Sequence, residues 1–488
     1  MTLKRLAPVA LLCAVTLIQA CSSLPPERRL IDDVIAALGG KVVVEGIKTL
    51  RIEGSGTAYL LGQNLVPDAE LPTYKVTDYL RIIDPSASRS VTQQTRTVQF
   101  DFAGNPVTRS HAGLDADIAY NVSADGNTTR ASERDARDRR LEMLHHPVTI
   151  GRAALNPAST LANFRQQGDD DLIDVTTTHG DALTLAVNRA TKFPSRVQHK
   201  AAHPNLGDVT ITTAFENYQD VNGLKLPSKF VTTIDEYPQL TIEVTANHIN
   251  VDVPNLAAPD AVKAAAVPVP LAPVVEVEPV GPGIWWLAGS GNHRSIVFEF
   301  EDHLTLFEAP VSEARTKAVI EKARTLSTKP LTHAIISHHH FDHSGGLRVA
   351  VAEGLTVITH RLNESFFKML VSRPYTIEPD ALARAPQPLK MELVDDSIRL
   401  KDASMEVQLY HLLDNPREGT NLYAYVPRDR MLVQADLYDS TWLRHPWGES
   451  VLQNFQQRKL AIVKHVPVHG ARESFADMVK TIKAKARA

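Results

Sequence analysis

The densest gathering of metal-ligating side chains in the sequence is His338-His339-His340-Phe341-Asp342-His343-Ser344-Gly345-Gly346. As ligands it reads His-x-His-x-Asp-His, four candidate residues within six positions. The run follows Leu331 to Ser337, an apolar stretch that predicts a buried strand. A loop at the end of such a strand is where a rigid scaffold presents reactive groups. His338 and His340, two apart, can aim imidazoles at one metal ion, while Asp342 and His343 can turn toward a second a few ångströms away. Imidazole and carboxylate ligands suit zinc, and also iron or manganese. Two ions roughly 3.5–4 Å apart can share a hydroxide and clamp a hydrolytic transition state. His339, lying between the ligands, reads as a surface residue or as support behind them.

The motif resembles that of the metallo-β-lactamase superfamily, the αββα-sandwich metallohydrolases, and the resemblance covers about residues 283–488. It implies further ligands at downstream strand ends. Asp436, closing Met431-Leu432-Val433-Gln434-Ala435, stands where the family places its bridging aspartate, and His469, in Val466-Pro467-Val468-His469-Gly470, stands where it places its last histidine. The implied metal set is His338, His340, Asp342, His343, Asp436 and His469, with Asp342, His343 and Asp436 at the reacting centre. An aspartate rather than a cysteine at the bridging position looks more like the glyoxalase-II, lactonase and phosphodiesterase side of the family than its dedicated β-lactamases. Glu308, in Phe307-Glu308-Ala309-Pro310, lies where relatives carry an aspartate that supports a ligand histidine.

One position departs from the family pattern. The third histidine on the first ion usually lies about 19 residues before the bridging aspartate, which here is Arg417, in Asp414-Asn415-Pro416-Arg417-Glu418-Gly419. A guanidinium has no lone pair to offer and cannot ligate. Two repairs are open. His411 could supply the imidazole if its loop folds back, although a packed residue ending the strand Val407 to Tyr410 is the plainer reading. Alternatively the first ion keeps His338, His340, Asp436 and water, and Arg417 grips an anionic group of the substrate. The chain would then hold one or two zinc ions.

The elements around these residues alternate. Ser295 to Phe300 and Leu304 to Phe307 read as strands. Glu313 to Leu326 reads as a helix with Ser312 as N-cap, Gly346 to Glu353 as a short helix closed by Gly354, and Val357 to Thr359 as another strand. Met405 to Tyr410, Asn421 to Val426 and Met431 to Ala435 follow as strands, and Ser474 to Lys485 as a terminal helix. This predicts an α/β domain over residues 283–488. Within it, Asn363 to Leu389 is the expected cover of the site, Trp285-Trp286 read as packing residues, and His333, His360 and His465 as structural.

Residues 27–252 carry a different rhythm. After one helix, Arg28 to Leu38, stopped by Gly39-Gly40, come mostly short alternating runs such as Leu183 to Val187, Val209 to Thr212 and Leu240 to Val244. His179-Gly180-Asp181 and Asn222-Gly223 mark tight turns between them. This predicts a mainly antiparallel domain, a curved sheet or half-barrel, similar to the periplasmic lipoprotein carriers and sorting factors. The exception is Arg130 to Leu144, a helix so rich in Arg, Asp and Glu that it reads as solvated and laced with charge pairs; His145-His146 ends it. Residues 253–282 form a linker, with seven prolines between Pro254 and Pro282.

The N-terminus is an address. Lys4 and Arg5 precede the apolar run Leu6 to Ile18, too short to span a bilayer comfortably but suited to a signal segment. Ile18-Gln19-Ala20-Cys21 resembles a bacterial lipobox, which implies removal of residues 1–21 as a signal peptide, lipidation of Cys21 and an exported, membrane-anchored protein of the cell envelope or periplasm. Only Cys13 and Cys21 occur in 488 residues, which excludes a disulfide scaffold and a Cys-ligated cluster. Lys plus Arg is 52 against 56 Asp plus Glu, and this near-balance argues against a nucleic-acid partner.

Three functions compete. In the first, a metal-bound hydroxide attacks an ester, thioester, lactone or phosphoester of a small-molecule substrate. In the second, Arg417 marks a degenerate metallohydrolase domain, and the protein is an envelope lipoprotein that binds a lipid or hydrophobic ligand in its N-terminal sheet. In the third, iron replaces zinc in a redox or sulfur-handling centre.

Overall fold

The computed structural model describes residues 24–101, 104 and 106–486. The signal segment 1–21 and the expected lipidation site Cys21 lie outside them. Among the described residues, no helix is long and apolar enough to cross a membrane.

The first half is one open antiparallel sheet of thirteen strands among the described residues. Six strands run through residues 50–130 and seven through 160–249, each pairing with its neighbour in sequence. The first strand, Leu50–Tyr59, pairs with the last, Tyr237–Ile249, in the middle of the sheet, so the free edges are Thr128–Arg130 and Thr160–Gln167. Local chemistry sets the hairpins. At the Asn222-Gly223 turn both residues take positive φ, 53° and 86°, between paired Val221 and Leu224. That is the primed turn whose twist matches the flanking strands. The helix Pro26–Leu38 lays Leu30, Ile31, Val34, Ile35 and Leu38 into the core and stops at Gly39.

The acidic and basic helix is Glu133–Leu144, started by a capping box between Ser132 and Asp135. It is not simply a solvated helix. Arg139 donates to the carbonyls of Gly113 and Tyr120, Arg140 pairs with Asp181, and Arg134 reaches Glu378 in the second half of the chain. The arginines thus anchor the helix across one face of the sheet. Together they bound a cavity of about 730 Å³, apolar along Ile211, Phe230 and Ile242 and basic at Arg81, Arg96 and Arg137.

The second half is an αββα sandwich. One sheet has seven strands, antiparallel from Val275–Gly281 to Leu304–Phe307 and parallel through Leu331–Ile335 and Thr356–His360 to Lys390–Val394. The other has six, from Ser397–Lys401 to Glu473–Ser474. Between them pack Ile296, Phe298, Phe307, Ile335, Leu409, Leu422, Val433 and Val466. The helices Glu313–Ala323, Leu347–Ala352 and Glu364–Ser372 cover the first sheet, and Gly448–Gln457 and Phe475–Lys485 cover the second. Ser312 and Ser474 cap their helices through their side chains. The strand Val275–Gly281 falls inside the stretch read as linker, because alternating Val275-Glu276-Val277-Glu278 pairs with Ile284–Gly289 at the sheet edge, where Pro279 is tolerated.

The two halves meet along Arg373 to Ile377. Arg373 bonds the carbonyl of Leu206 and the Asp235 carboxylate, while Asp208 accepts from the Thr376 and Ile377 amides. The segment 363–389 expected as the site's cover is therefore partly a docking surface for the N-terminal sheet.

Two buried histidines outside the candidate ligand set make a prediction about acid. His146 and His465 are fully buried, and burial holds both imidazoles down to about 3. In the unfolded chain they titrate near 6.5. Between those values only the unfolded state takes up the proton, so their contribution is complete above pH 6.5 and declines as pH falls. From pH 6.5 to pH 5 each is expected to cost about 2 kcal/mol of stability, read by urea unfolding at the two pH values. A flat profile for the wild type would contradict this, and His146→Gln should flatten it in part.

Candidate metal centre

The strand Leu331–Ile335 ends into Ser337 to His340, all wholly buried, and His340 precedes the short helix Phe341–Ser344. Gly346 is needed here because a Cβ would overlap the Thr316 side chain. Asp436 leaves the strand Met431–Gln434 with φ 59°, and Glu308 leaves Leu304–Phe307 with φ 78°. His469 follows Lys464–Pro467. Two strand ends of each sheet thus converge at one rim of the sandwich.

Each ligand histidine has its outer nitrogen occupied. His343 Nδ1 lies 2.7 Å from Glu308 Oε2, and His469 Nδ1 lies 2.7 Å from the Asn292 carbonyl. His338 Nδ1 lies 2.8 Å from Ser337 Oγ. His340 Nε2 faces the Asn64 carbonyl at 3.0 Å and Glu418 Oε2 at 2.8 Å. These partners leave His338 Nε2, His340 Nδ1, His343 Nε2 and His469 Nε2 turned inward. Such outer hydrogen bonds fix tautomer and ring orientation in metal sites.

The inward atoms form two groups that share Asp436. In the second position, His343 Nε2 stands 3.4 Å from Asp342 Oδ2, 3.2 Å from Asp436 Oδ1 and 3.1 Å from His469 Nε2. His469 Nε2 is 3.1 Å from Asp436 Oδ1. A tetrahedral ion with ligands at ~2.0–2.1 Å has ligand–ligand edges of about 3.4 Å, close to these contacts of His343 and His469, and His293, Asp342, His343 and His469 all present ligand atoms within 4.8 Å of one another. In the first position, His338 Nε2 and His340 Nδ1 stand 3.8 and 4.0 Å from Asp436 Oδ2, and neither nitrogen has a hydrogen-bond partner. Arg417 Nη2 stands 3.3 Å from the same oxygen. The first position therefore offers three candidate ligands, with a guanidinium beside them.

The charges ask for a cation. Glu308, Asp342, Glu418 and Asp436 surround the centre against the single guanidinium of Arg417, a surplus of three negative charges that protons on His343 and His340 offset only in part when no ion is bound. Burial alone would lower the His343 imidazole, but Asp342, Asp436 and Glu308 outweigh it and hold it well above the usual range. Burial opposes His340 too, yet Glu418 and Asp436 raise it to about 9. His338, more burial than charge, is held well below the usual range and stays neutral.

The structure brings together His338, His340, Asp342, His343, Asp436 and His469, and sets Glu308 behind His343. It does not bring in His411. That residue donates from Nε2 to the Gly419 carbonyl at 2.9 Å, its ring stacked on His360 at 3.9 Å, so it cannot replace the missing histidine. His339 is no surface residue; it is fully buried, 3.5 Å from Glu418 Oε1. Trp286 donates from Nε1 to the Pro467 carbonyl within the core.

Four residues of the centre escaped the sequence reading. His293 Nε2 stands 3.3 Å from Asp342 Oδ2, from a loop with no ligand spacing to mark it. Glu418 sits beside the anomalous Arg417, and its Oε2, buried without a hydrogen-bond partner, stands 2.8 Å from His340 Nε2. Gln63 and Asn64 come from the N-terminal half: Gln63 Nε2 donates to Asp342 Oδ1 at 2.9 Å. They, rather than residues 363–389, lie directly against the ligands.

Residues 288–436 match the family described as the Metallo-beta-lactamase superfamily. No curated protein matches. Among solved structures the chain is similar to the metallo-β-lactamase of Pontibacter korlensis, at 14% identity over 44% of this chain and 99% of that one, with a TM-score of 0.35. It is also similar to the metallo-β-lactamase FIM-1 of Pseudomonas aeruginosa in its mono-zinc form, at 15% identity over 44% and 95%, with a TM-score of 0.35. A third is the flavodiiron core Flv1 of Synechocystis sp. PCC6803, at 14% identity over 44% and 62%, with a TM-score of 0.36. The matched family segment runs from the strand before His293 to Asp436 itself, and the chain carries a metallo-β-lactamase superfamily domain in its C-terminal half.

Proposed function

We propose that the protein is a metal-dependent hydrolase acting on an ester, thioester, lactone or phosphoester. One observation carries this reading. His343 Nε2 and His469 Nε2 face each other at 3.1 Å while both outer nitrogens are held by acceptors. Two lone pairs aimed at one another repel, so a positive charge must lie between them: the proton that His343 keeps when the site is empty, or a divalent ion in its place.

Asp342, His343, Asp436 and His469 would hold a divalent ion, zinc first and iron or manganese otherwise, and His338, His340 and Asp436 would hold a second more weakly. When bound, such an ion polarises a carbonyl or phosphoryl oxygen and brings the pKa of water down to roughly 7. The chain's own groups do the rest. Asp436 shares its two oxygens between the positions and fixes their spacing. Glu308 and Asn292 keep His343 and His469 from rotating. Arg417, with 13% of its side chain exposed, offers its guanidinium to an anionic substrate group or to developing negative charge. Its charge beside Asp436 is also what weakens the first position. On the sequence alone, export and a lipid anchor at Cys21 remain part of this proposal.

The test is a hydrolysis screen of lactones, thioesters and phosphodiesters with and without chelator. The expected result is turnover of at least one class, its loss on chelation and its return with zinc. Turnover that survives complete metal removal would contradict the reading, and recovery only with iron would move the protein to redox chemistry.

A further inference from the structure

The metal centre is completed by the other domain. The loop Leu60 to Pro72 joins the first two strands of the N-terminal sheet and reaches the rim of the sandwich. Phe341 N donates to the Gly62 carbonyl at 3.3 Å, and Gly419 N to the Leu65 carbonyl at 2.8 Å. The tip is shaped for this contact. Gly62 has φ 74°, and a Cβ there would run into the Phe341 ring. Asn64, 5% exposed, donates from Nδ2 to the carbonyls of Val66, Pro67 and Ala69 and so holds the loop in its turn.

Two adjacent residues of that tip each touch one metal position. Gln63 Nε2 donates to Asp342 Oδ1, which leaves Oδ2 facing His343 and His293. His340 Nε2 donates to the Asn64 carbonyl, which leaves Nδ1 facing Asp436. Gln63 also accepts from Arg417 Nη2 at 2.8 Å, and the same nitrogen meets Asp436 Oδ2. One carboxamide thus links a ligand of the second position to the guanidinium beside the first.

We infer that Gln63 and Asn64 are positioning residues for the metal centre, so that docking of the N-terminal domain sets how tightly the C-terminal domain holds metal. Gln63 fixes the Asp342 carboxylate and the Arg417 guanidinium at once; Asn64 fixes the loop whose carbonyl orients His340. The inference rests on the proposal that the centre binds metal.

The test uses the full chain, with zinc as probe and a chromophoric chelator as competitor. Equilibrium affinity and release rate are read for wild type, Gln63→Ala, Gln63→Glu and Asn64→Ala, alongside the melting temperature of each metal-free protein. Gln63→Ala is expected to weaken zinc about 10–100-fold, the usual cost of losing an outer partner, with the metal-free melting temperature unchanged. Gln63→Glu keeps an acceptor for Arg417 but places a carboxylate against Asp342, and should not restore affinity. Asn64→Ala is expected to speed release from both positions. A Gln63→Ala protein within threefold of wild type in affinity and release overturns the inference while leaving the hydrolase reading intact. A wild-type chain that takes up no zinc overturns both.

Discussion

Replacing Asp436 with asparagine is expected to weaken both metal positions at once. Asparagine keeps the side chain's shape and tolerates the left-handed backbone at φ 59°. What changes is the charge. Oδ1 faces His343 and His469 in one position, and Oδ2 faces His338, His340 and Arg417 in the other. If a bound zinc ion contributes roughly 10–16 kcal/mol through about four ligands, one ligand is worth about 3 kcal/mol, or about 10²-fold in affinity. Competition with a chelator measures this, and hydrolysis should fall on the order of 10³-fold. The zinc-dependent gain in thermal stability should shrink accordingly, by about 2.7 kcal/mol for a 10²-fold weaker site. Unchanged zinc affinity in Asp436→Asn would remove Asp436 from the ligand set.

Replacing Glu308 with alanine is expected to damage fold and site together. The side chain is wholly buried, and its two oxygens serve two donors: Oε1 accepts from Ser337 N at 2.9 Å and Oε2 from His343 Nδ1 at 2.7 Å. Alanine strands both donors in a closed core, at a cost of about 3–5 kcal/mol. For a domain of this size that lowers the melting temperature by about 10 °C. Glu308→Gln keeps the volume and one acceptor, so its stability loss should be smaller, yet His343 still loses its carboxylate. Zinc affinity is expected to drop about 10–100-fold in both variants. Scanning calorimetry with and without chelator separates the two effects. A variant that melts earlier but binds zinc normally would reduce Glu308 to a structural role.

The parts of this architecture that were legible in the sequence are those set by near neighbours. Ser312 and Ser474 cap helices through bonds that span three residues, and Asn222-Gly223 makes its turn through its own φ values. The ligand run follows its strand directly, so Leu331 to Ser337 and His338 to His343 could be read as one unit. Asp436 and His469 needed the family's order, because an aspartate or histidine after a strand carries no local mark. His293, Glu418, Gln63 and Asn64 were invisible for a related reason. Gln63 meets Asp342 across 279 positions, and only the docking of the two domains creates that contact. Composition also misled. Prolines between Pro254 and Pro282 suggested linker throughout, while Val275–Gly281 forms an edge strand, where a missing amide costs little. The length of residues 363–389 suggested a cover, while part of that segment holds the N-terminal sheet.

The most direct measurement is the metal content of the purified full-length protein, prepared without chelator and dialysed, by elemental mass spectrometry. One zinc ion per chain is expected to stay tightly bound in the position of Asp342, His343, Asp436 and His469. A second should appear only when excess zinc is supplied, because Arg417 stands beside the first position. A protein that holds no metal, even after zinc is offered, would show that these residues do not form a metal centre.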